Sequence, residues 1–219
     1  DQGEGRYVVI RGMDPDLNAT SINGLRATAA EPRRALQLDV IPSDVLDGLE
    51  VHKTLSADMD GDAIGGSINV KTLSAFSRKG AYVKARAEGS YNELSEEMNP
   101  KLSIAGSNIF ELDSGRRLGV AGAISWNDRE LVVDNVEMDG WEEAGNGSDY
   151  AEDFEPRLYT VGRERIGGVL NLDLDVSDST RLYAYTLYSR FTDTELRNAV
   201  AFGLDGLDEA TVTATSADY

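Results

Sequence analysis

Residues 38–72 read LDVIPSDVLDGLEVHKTLSADMDGDAIGGSINVKT. The three aspartates at alternate places, Asp58, Asp60 and Asp62, invite comparison with a calcium loop. Such a loop wants carboxylates at its first, third and fifth positions, glycine at the sixth and a bidentate glutamate at the twelfth. Here Ala63 stands where the glycine belongs and Asn69 where the glutamate belongs. The GSINVKT that follows reads as a strand where a calcium loop would lead into a helix. The segment is better read as an acidic turn, since aspartate is at home in turns. Gly65 and Gly66 would permit close backbone approach or a positive φ at the entry to the strand.

Working outward, residues 1–75 mix short β runs with turns and one helical stretch. YVVIRGM (7–13) reads as a β-branched strand closed by Gly12. NATSINGLRA (18–27) is a second strand candidate, broken by Asn23-Gly24, a hairpin-turn dipeptide. IPSDVLDGLEVHKT (41–54) places Pro42 at a helix start with acids in the first turn, Gly48 at the helix end and a strand LEVHKT after it.

Residues 76–219 follow a different grammar. AYVKARAEGSY (81–91) puts Val83, Ala85, Ala87 and Tyr91 on one face and Lys84, Arg86 and Glu88 on the other. RRLGVAGAISWN (116–127), VLNLDLDV (169–176) and LYAYTLYSRF (182–191) alternate in the same way, and KLSIAGSNIF (101–110) more weakly. The links LDSGR (112–116) and VSDST (176–180) are tight polar turns, whereas NELSEEMN (92–99) and residues 131–156 read as long links. The second of these carries nine acidic residues and neither lysine nor arginine. Long and short links in alternation suit a membrane barrel better than a soluble sandwich. Tyr91, Tyr159, Tyr183 and Tyr185 near strand ends fit an aromatic belt.

Composition narrows the function classes. The chain has 219 residues, 39 acidic and 21 basic, for a net charge of −18. No basic stripe is long enough for nucleic acid. With no cysteine and one histidine, His52, thiolate and multi-histidine metal sites are excluded, and a Ser-His triad would depend on that one residue. Ser74 and Ser77 lack the context of a nucleophile elbow. No spacing singles out a catalytic carboxylate pair of the glycosidase kind. No run approaches the ~18–20 apolar residues of a membrane-spanning helix, which leaves a β-barrel open.

These stretches resemble the TonB-dependent outer-membrane receptors. Residues 38–72 are similar to the C-terminal half of their plug domain: Ile41-Pro42, then Leu49-Glu50-Val51, then Ala63-Ile64-Gly65-Gly66-Ser67-Ile68-Asn69. VIRGM (9–13) resembles the arginine-glycine strand before it, and SINGLRA (21–27) the segment usually carrying aspartate where Asn23 stands. SWNDRELVVDNVE and YTLYSRFTDTELRN resemble early barrel strands.

The resemblance implies a mixed α+β plug segment over 1–75, followed over 76–219 by antiparallel transmembrane β-barrel strands, an incomplete part of a 22-stranded barrel. With no TonB box and about five strands, the chain is expected to be a fragment. The implied protein is a transporter of a Gram-negative outer membrane and not an enzyme. Its implied partners are TonB with its inner-membrane energising complex, outer-membrane lipid and a small-molecule or oligosaccharide ligand, with no cofactor and no nucleic acid. Arg11, Gly12, Pro42, Glu50, Gly65, Gly66 and Asn69 fall on the plug motifs, and the charges of Arg11 and Glu50 would reach the barrel wall. Asn69 would bond backbone within the plug, and Lys84, Arg86 and Glu88 would face it from the wall. Trp141 and Tyr150, in the acidic link, are candidate ligand-loop residues. The competing expectation is a soluble, secreted calcium-binding β module using Asp58, Asp60 and Asp62.

Overall fold

The computed structural model of the chain describes residues 5–29, 32–57, 59, 61, 63–112, 115–143, 149–203, 211–212 and 217–218. The chain divides into two compact units. The first comprises residues 1–90, 99–129 and 163–192; the second comprises 91–98, 130–162 and 193–219.

In the first unit, a four-stranded sheet is built from β1 (Asn18–Ile22), β2 (Leu25–Arg26), β3 (Leu46–His52) and β4 (Gly66–Thr72), in the order β2-β1-β4-β3. The Asn23-Gly24 pair makes the expected hairpin turn, with φ of 50° and 82°, the double left-handed geometry that matches strand twist. β1 runs parallel to β4 with Ser21 opposite Asn69. β3 runs antiparallel to β4, with a register shift between Leu46 and Gly48.

Alternate residues of β4 are buried, among them Ile68, Val70 and Thr72. Gly65 and Gly66 are demanded by space. A Cβ on Gly65 would lie 2.3 Å from Asn18 Oδ1, and one on Gly66 2.8 Å from the His52 carbonyl. Gly65→Ala must therefore displace Asn18, whose amide holds the Val8 carbonyl at 2.9 Å. We expect a loss of about 1–3 kcal/mol, the usual cost of overpacking. Urea unfolding should register it, and Gly61→Ala, with nothing within 4 Å, should leave the midpoint in place.

Two expectations for this region are corrected. The helix expected between Pro42 and Gly48 is absent, while the strand expected after it forms: Ser43–Val45 make one 3-10 turn with Pro42 as its N-cap, and β3 begins at Leu46. Among the described residues there is no α-helix, only four such turns. A three-residue segment cannot offset the cost of helix nucleation, and Val45 is fully buried instead. Nor is 7–13 a strand. Arg11 and Gly12 both have positive φ, 56° and 72°, and turn the chain so that Ile10 bridges Met13.

The longer sheet contains β5 (Tyr82–Asn92), β6 (Glu97–Glu111), β7 (Arg117–Glu143), β8 (Asp149–Ser177), β9 (Thr180–Ala199) and β10 (Phe202–Gly203). Its order is β10-β8-β7-β6-β5, with β9 also paired to β8. β6 and β7 keep one antiparallel register from Lys101↔Asn127 to Glu111↔Arg117. The sheet is open, so the described residues form no closed barrel and no 22-stranded one.

Its polarity is inverted relative to a soluble sheet. On β8 the buried row includes Arg163, Arg165, Asn171 and Asp173, while Leu170 and Leu172 are exposed. On β6 and β7, Leu102, Ile104 and Ile124 are exposed and Ser107 and Ser125 buried. The apolar core is small and joins the two sheets: Ile41, Val45, Leu73 and Ala75 pack with Ala121, Ala123 and Val169.

The second unit holds the far ends of β7 and β8, β10 and a ladder of β11 (Thr211–Val212) with β12 (Ala217–Asp218). Residues 131–143 and 149–156, expected as part of a link, are strand. Here Phe202 pairs with Phe154, ring centroids 5.9 Å apart. Arg157 is held between Glu137 and Glu155. Backbone pairing thus continues into a segment whose acidity suggested a loop, because strand formation requires only that ladder bonds be met.

Candidate functional site

The site is the joint where the inner face of the long sheet meets residues 39–78. Strands β5 to β9 of the long sheet contribute polar side chains to it. Asn171 on β8 donates to Thr72 Oγ1 at 2.7 Å and to the Leu73 carbonyl at 2.6 Å. Ser74 donates to Asp173 at 3.0 Å, and Tyr185 of β9 donates to the same carboxylate at 2.6 Å. Arg165 Nε donates to the Asp39 carbonyl at 2.7 Å, and its guanidinium lies 4.9 Å from the Phe191 ring centroid. Ser189 donates to the Val40 carbonyl.

Charge pairs continue the joint. Asp44 meets Lys101 Nζ at 2.6 Å and Arg86 at 3.4 Å, and Glu88 lies within 3.7 Å of the same lysine. Burial pushes the Asp44 carboxyl up, but Lys101, Ser103 and Arg86 together outweigh it and hold the group below the usual carboxylate range. Lower on the sheet, Arg117 and Arg181 each reach Asp175 at 2.6 Å. Phe76 lies 5.2 Å and 4.6 Å from these two guanidiniums, so an aromatic face completes a two-cation, one-anion cluster. Gly167 is the wall's steric allowance: a Cβ there would lie 2.6 Å from the Pro42 ring.

The residues expected from sequence behave differently from one another. Arg11 and Glu50 each have a partner within residues 1–75. Arg11 donates to Thr54 at 3.2 Å, and Glu50 pairs with Lys71 at 2.5 Å, which with Asn69 holds its carboxyl low. β3–β4 pairing sets Lys71 beside Glu50. Asn69 Oδ1 accepts from the Gly24 amide at 2.9 Å and from Ser21 Oγ at 3.1 Å, while its Nδ2 donates to Glu50 at 3.2 Å. Arg86 and Glu88 do stand at the joint. Tyr185, expected at an aromatic belt, turns inward because it shares the odd-numbered face of β9 with Leu187, which packs on the core. Trp141 and Tyr150 lie on strand ends in the second unit. Asp58, Asp60 and Asp62 lie outside the described residues. Among the described residues no group of three or more His, Asp or Glu could hold a metal.

Asp39, Asp44, Lys101, Arg165 and Asn171 were not singled out from sequence. For Asn171 and Asp173 the signal was present: polar residues occupy alternate places in an otherwise leucine-rich run. What it means depends on which face looks inward.

Residues 1–67 match the family model of the TonB-dependent Receptor Plug Domain. No curated protein and no solved structure matches the chain.

Proposed function

We propose, from the premise that this chain carries the plug domain of a TonB-dependent receptor, that it is the plug and first wall strands of an outer-membrane transporter. Such receptors are transporters and not enzymes. In this reading residues 1–75 are the C-terminal part of the plug and 76–219 the first strands of the barrel. Arg11, Gly12, Pro42, Glu50, Gly65, Gly66 and Asn69 then serve to keep the plug folded. Trp141 and Tyr150 would meet solute in the strand extensions.

The observation that carries the reading is the inverted polarity of the long sheet. Arg165, 7% exposed, and Asn171, 0% exposed, bond residues 39–73, while Ile124 is 56% exposed and Leu170 53%. That distribution suits a wall with lipid outside and a plug inside. Energised TonB would rearrange the plug, and a joint made of hydrogen bonds and ion pairs suits reversible opening. Each such bond exchanges with water at a net cost of only about 0.5–1.5 kcal/mol. The transported solute is of the carbohydrate or iron-siderophore type. The acidic residues of 131–156 disfavour an anionic one through repulsion.

Two measurements test this. Cell fractionation should place the protein in the outer membrane, in a species several times heavier than 23.7 kDa. Deleting TonB should abolish uptake while leaving surface binding intact. A soluble 23.7 kDa protein, or uptake indifferent to TonB, would overturn the reading.

A further inference from the structure

The hydroxyl of Thr72 is shared between two sides. Asn23 Nδ2, in the β1–β2 turn, donates to Thr72 Oγ1 at 2.8 Å, and Asn171 Nδ2, on β8, donates to the same oxygen at 2.7 Å. Beyond Thr72 the chain is seated on the long sheet. Leu73 and Ala75, 2% and 1% exposed, pack with Ala121, Ala123 and Val169. The Ser74 hydroxyl donates to Asp173 at 3.0 Å and accepts the Phe76 amide at 3.3 Å, which caps a 3-10 turn. The Phe76 ring centroid lies 5.2 Å and 4.6 Å from the guanidinium carbons of Arg117 and Arg181, both of which Asp175 holds. Glycine at 119 makes room for this segment: a Cβ there would lie 3.1 Å from the Ala75 methyl and 3.1 Å from the Phe76 ring. Arg78 turns back to β3 and meets Asp47 at 2.9 Å, but both side chains are partly exposed, so the pair is weak.

We propose that residues 73–78 are a bolt belonging to the long sheet, and that the chain hinges at Thr72, ahead of the 75/76 boundary expected from sequence. Residues 39–45 touch the same sheet, and Ile41 and Val45 share its core. The two contacts differ in what restores them. Residues 73–78 run directly towards β5, which starts at Tyr82. Once detached, they stay within a few residues of their seat, so little chain entropy opposes their return. Residues 39–45 are joined to the sheet through β3, β4 and the segment between those strands, and a much longer stretch must be ordered to bring them back. Their polar partners exchange readily for water: Lys101 and Arg86 at Asp44, Arg165 at the Asp39 carbonyl and Ser189 at the Val40 carbonyl. A phenyl ring withdrawn from between two guanidiniums gains no such substitute. Thr72, bonded from both sides, is where the moving and the fixed parts meet.

That such an opening serves uptake rests on the transport reading; the place of the hinge does not. Val45→Cys and Leu73→Cys put a thiol in each contact, at sites 0% and 2% exposed. Each variant of the intact protein, in detergent at low urea, would be alkylated and the labelled peptide followed by mass spectrometry. Rates are divided by those of the same variant fully unfolded, because a buried thiol reacts only through local opening. The thiol at 45 should react roughly tenfold or more faster than the thiol at 73. Leucine loses more than valine on truncation to cysteine, so the substitutions bias the comparison against this result. Phe76→Ala should raise the rate at 73 to near that at 45 and leave the rate at 45 within about twofold. Gly119→Ala, which crowds the seat from the wall side, should do the same. Equal rates at the two sites, or a faster one at 73, would refute the hinge. Phe76→Ala accelerating both sites alike would refute it too, since that is the signature of a general loss of stability. Neither failure bears on outer-membrane location or TonB-dependence, which stand on their own measurements.

Discussion

Replacing Asn171 by leucine will loosen residues 72–74 from the wall. Asn171 is fully buried. Its amide nitrogen holds Thr72 Oγ1 and the Leu73 carbonyl, and its oxygen accepts the Thr186 amide at 3.1 Å. Leucine fills nearly the same volume, so the change isolates the hydrogen bonds from the packing. Thr72 keeps its bond from Asn23 Nδ2 at 2.8 Å; Leu73 loses the donor to its carbonyl. Leaving a buried polar group unmet costs about 1–3 kcal/mol, so a total near 2 kcal/mol, or roughly 30-fold in the opening equilibrium, is expected. The chain contains no cysteine, so a thiol introduced by Leu73→Cys reports on this chain's opening alone. Its alkylation should accelerate by about that factor in the Asn171→Leu background. A rate within twofold of the parent would mean that the joint is held elsewhere.

The second large effect concerns Asp44, whose side chain is 9% exposed and faces Lys101 and Arg86. Asp44→Asn keeps the shape and removes the charge, leaving two cations close together. Both retain water, so the expected loss is about 1–2 kcal/mol and not the 3–5 of a fully buried broken pair. The pH dependence follows from the direction of the shift. The carboxyl is held below its ordinary value in the folded state, so its contribution is complete above the unfolded aspartate pKa of about 3.9. It is then lost as pH falls through the lower folded value. The parent's urea midpoint should therefore drop with acid below about pH 4 partly on this account. Asp44→Asn should start lower at pH 7 and show a shallower acid limb. An unchanged midpoint together with an unchanged limb would remove Asp44 from the joint.

How much could be read in advance depended on the range of the interaction. The Asn23-Gly24 turn was legible because two adjacent residues carry the whole signal, their tolerance of positive φ. The tight turn at 176–180 and the alternation of 169–176 were legible for the same local reason. Errors came where local preference met a distant partner. Pro42 with Asp44 behind it looked like a helix start, but Val45 is drawn into the core with Ala121 and Ala123, and the backbone passes straight into β3. The acidic run at 131–156 looked like a loop, yet pairing carries strands far into it from both ends.

The amino-acid order alone determined the local grammar of this protein. It set the period-two strands with apolar residues on one side, the two-residue turns, and the glycine pair at the start of β4, because each rests on the stereochemistry of a few neighbouring residues. Only the tertiary structure decided which face of the long sheet is inside. Alternation is symmetric: Leu170, Asn171, Leu172 and Asp173 read equally well with either row buried. Asn171 and Asp173 turn inward because Thr72, Leu73 and Ser74, about a hundred residues earlier in the chain, supply the partners that make their burial affordable.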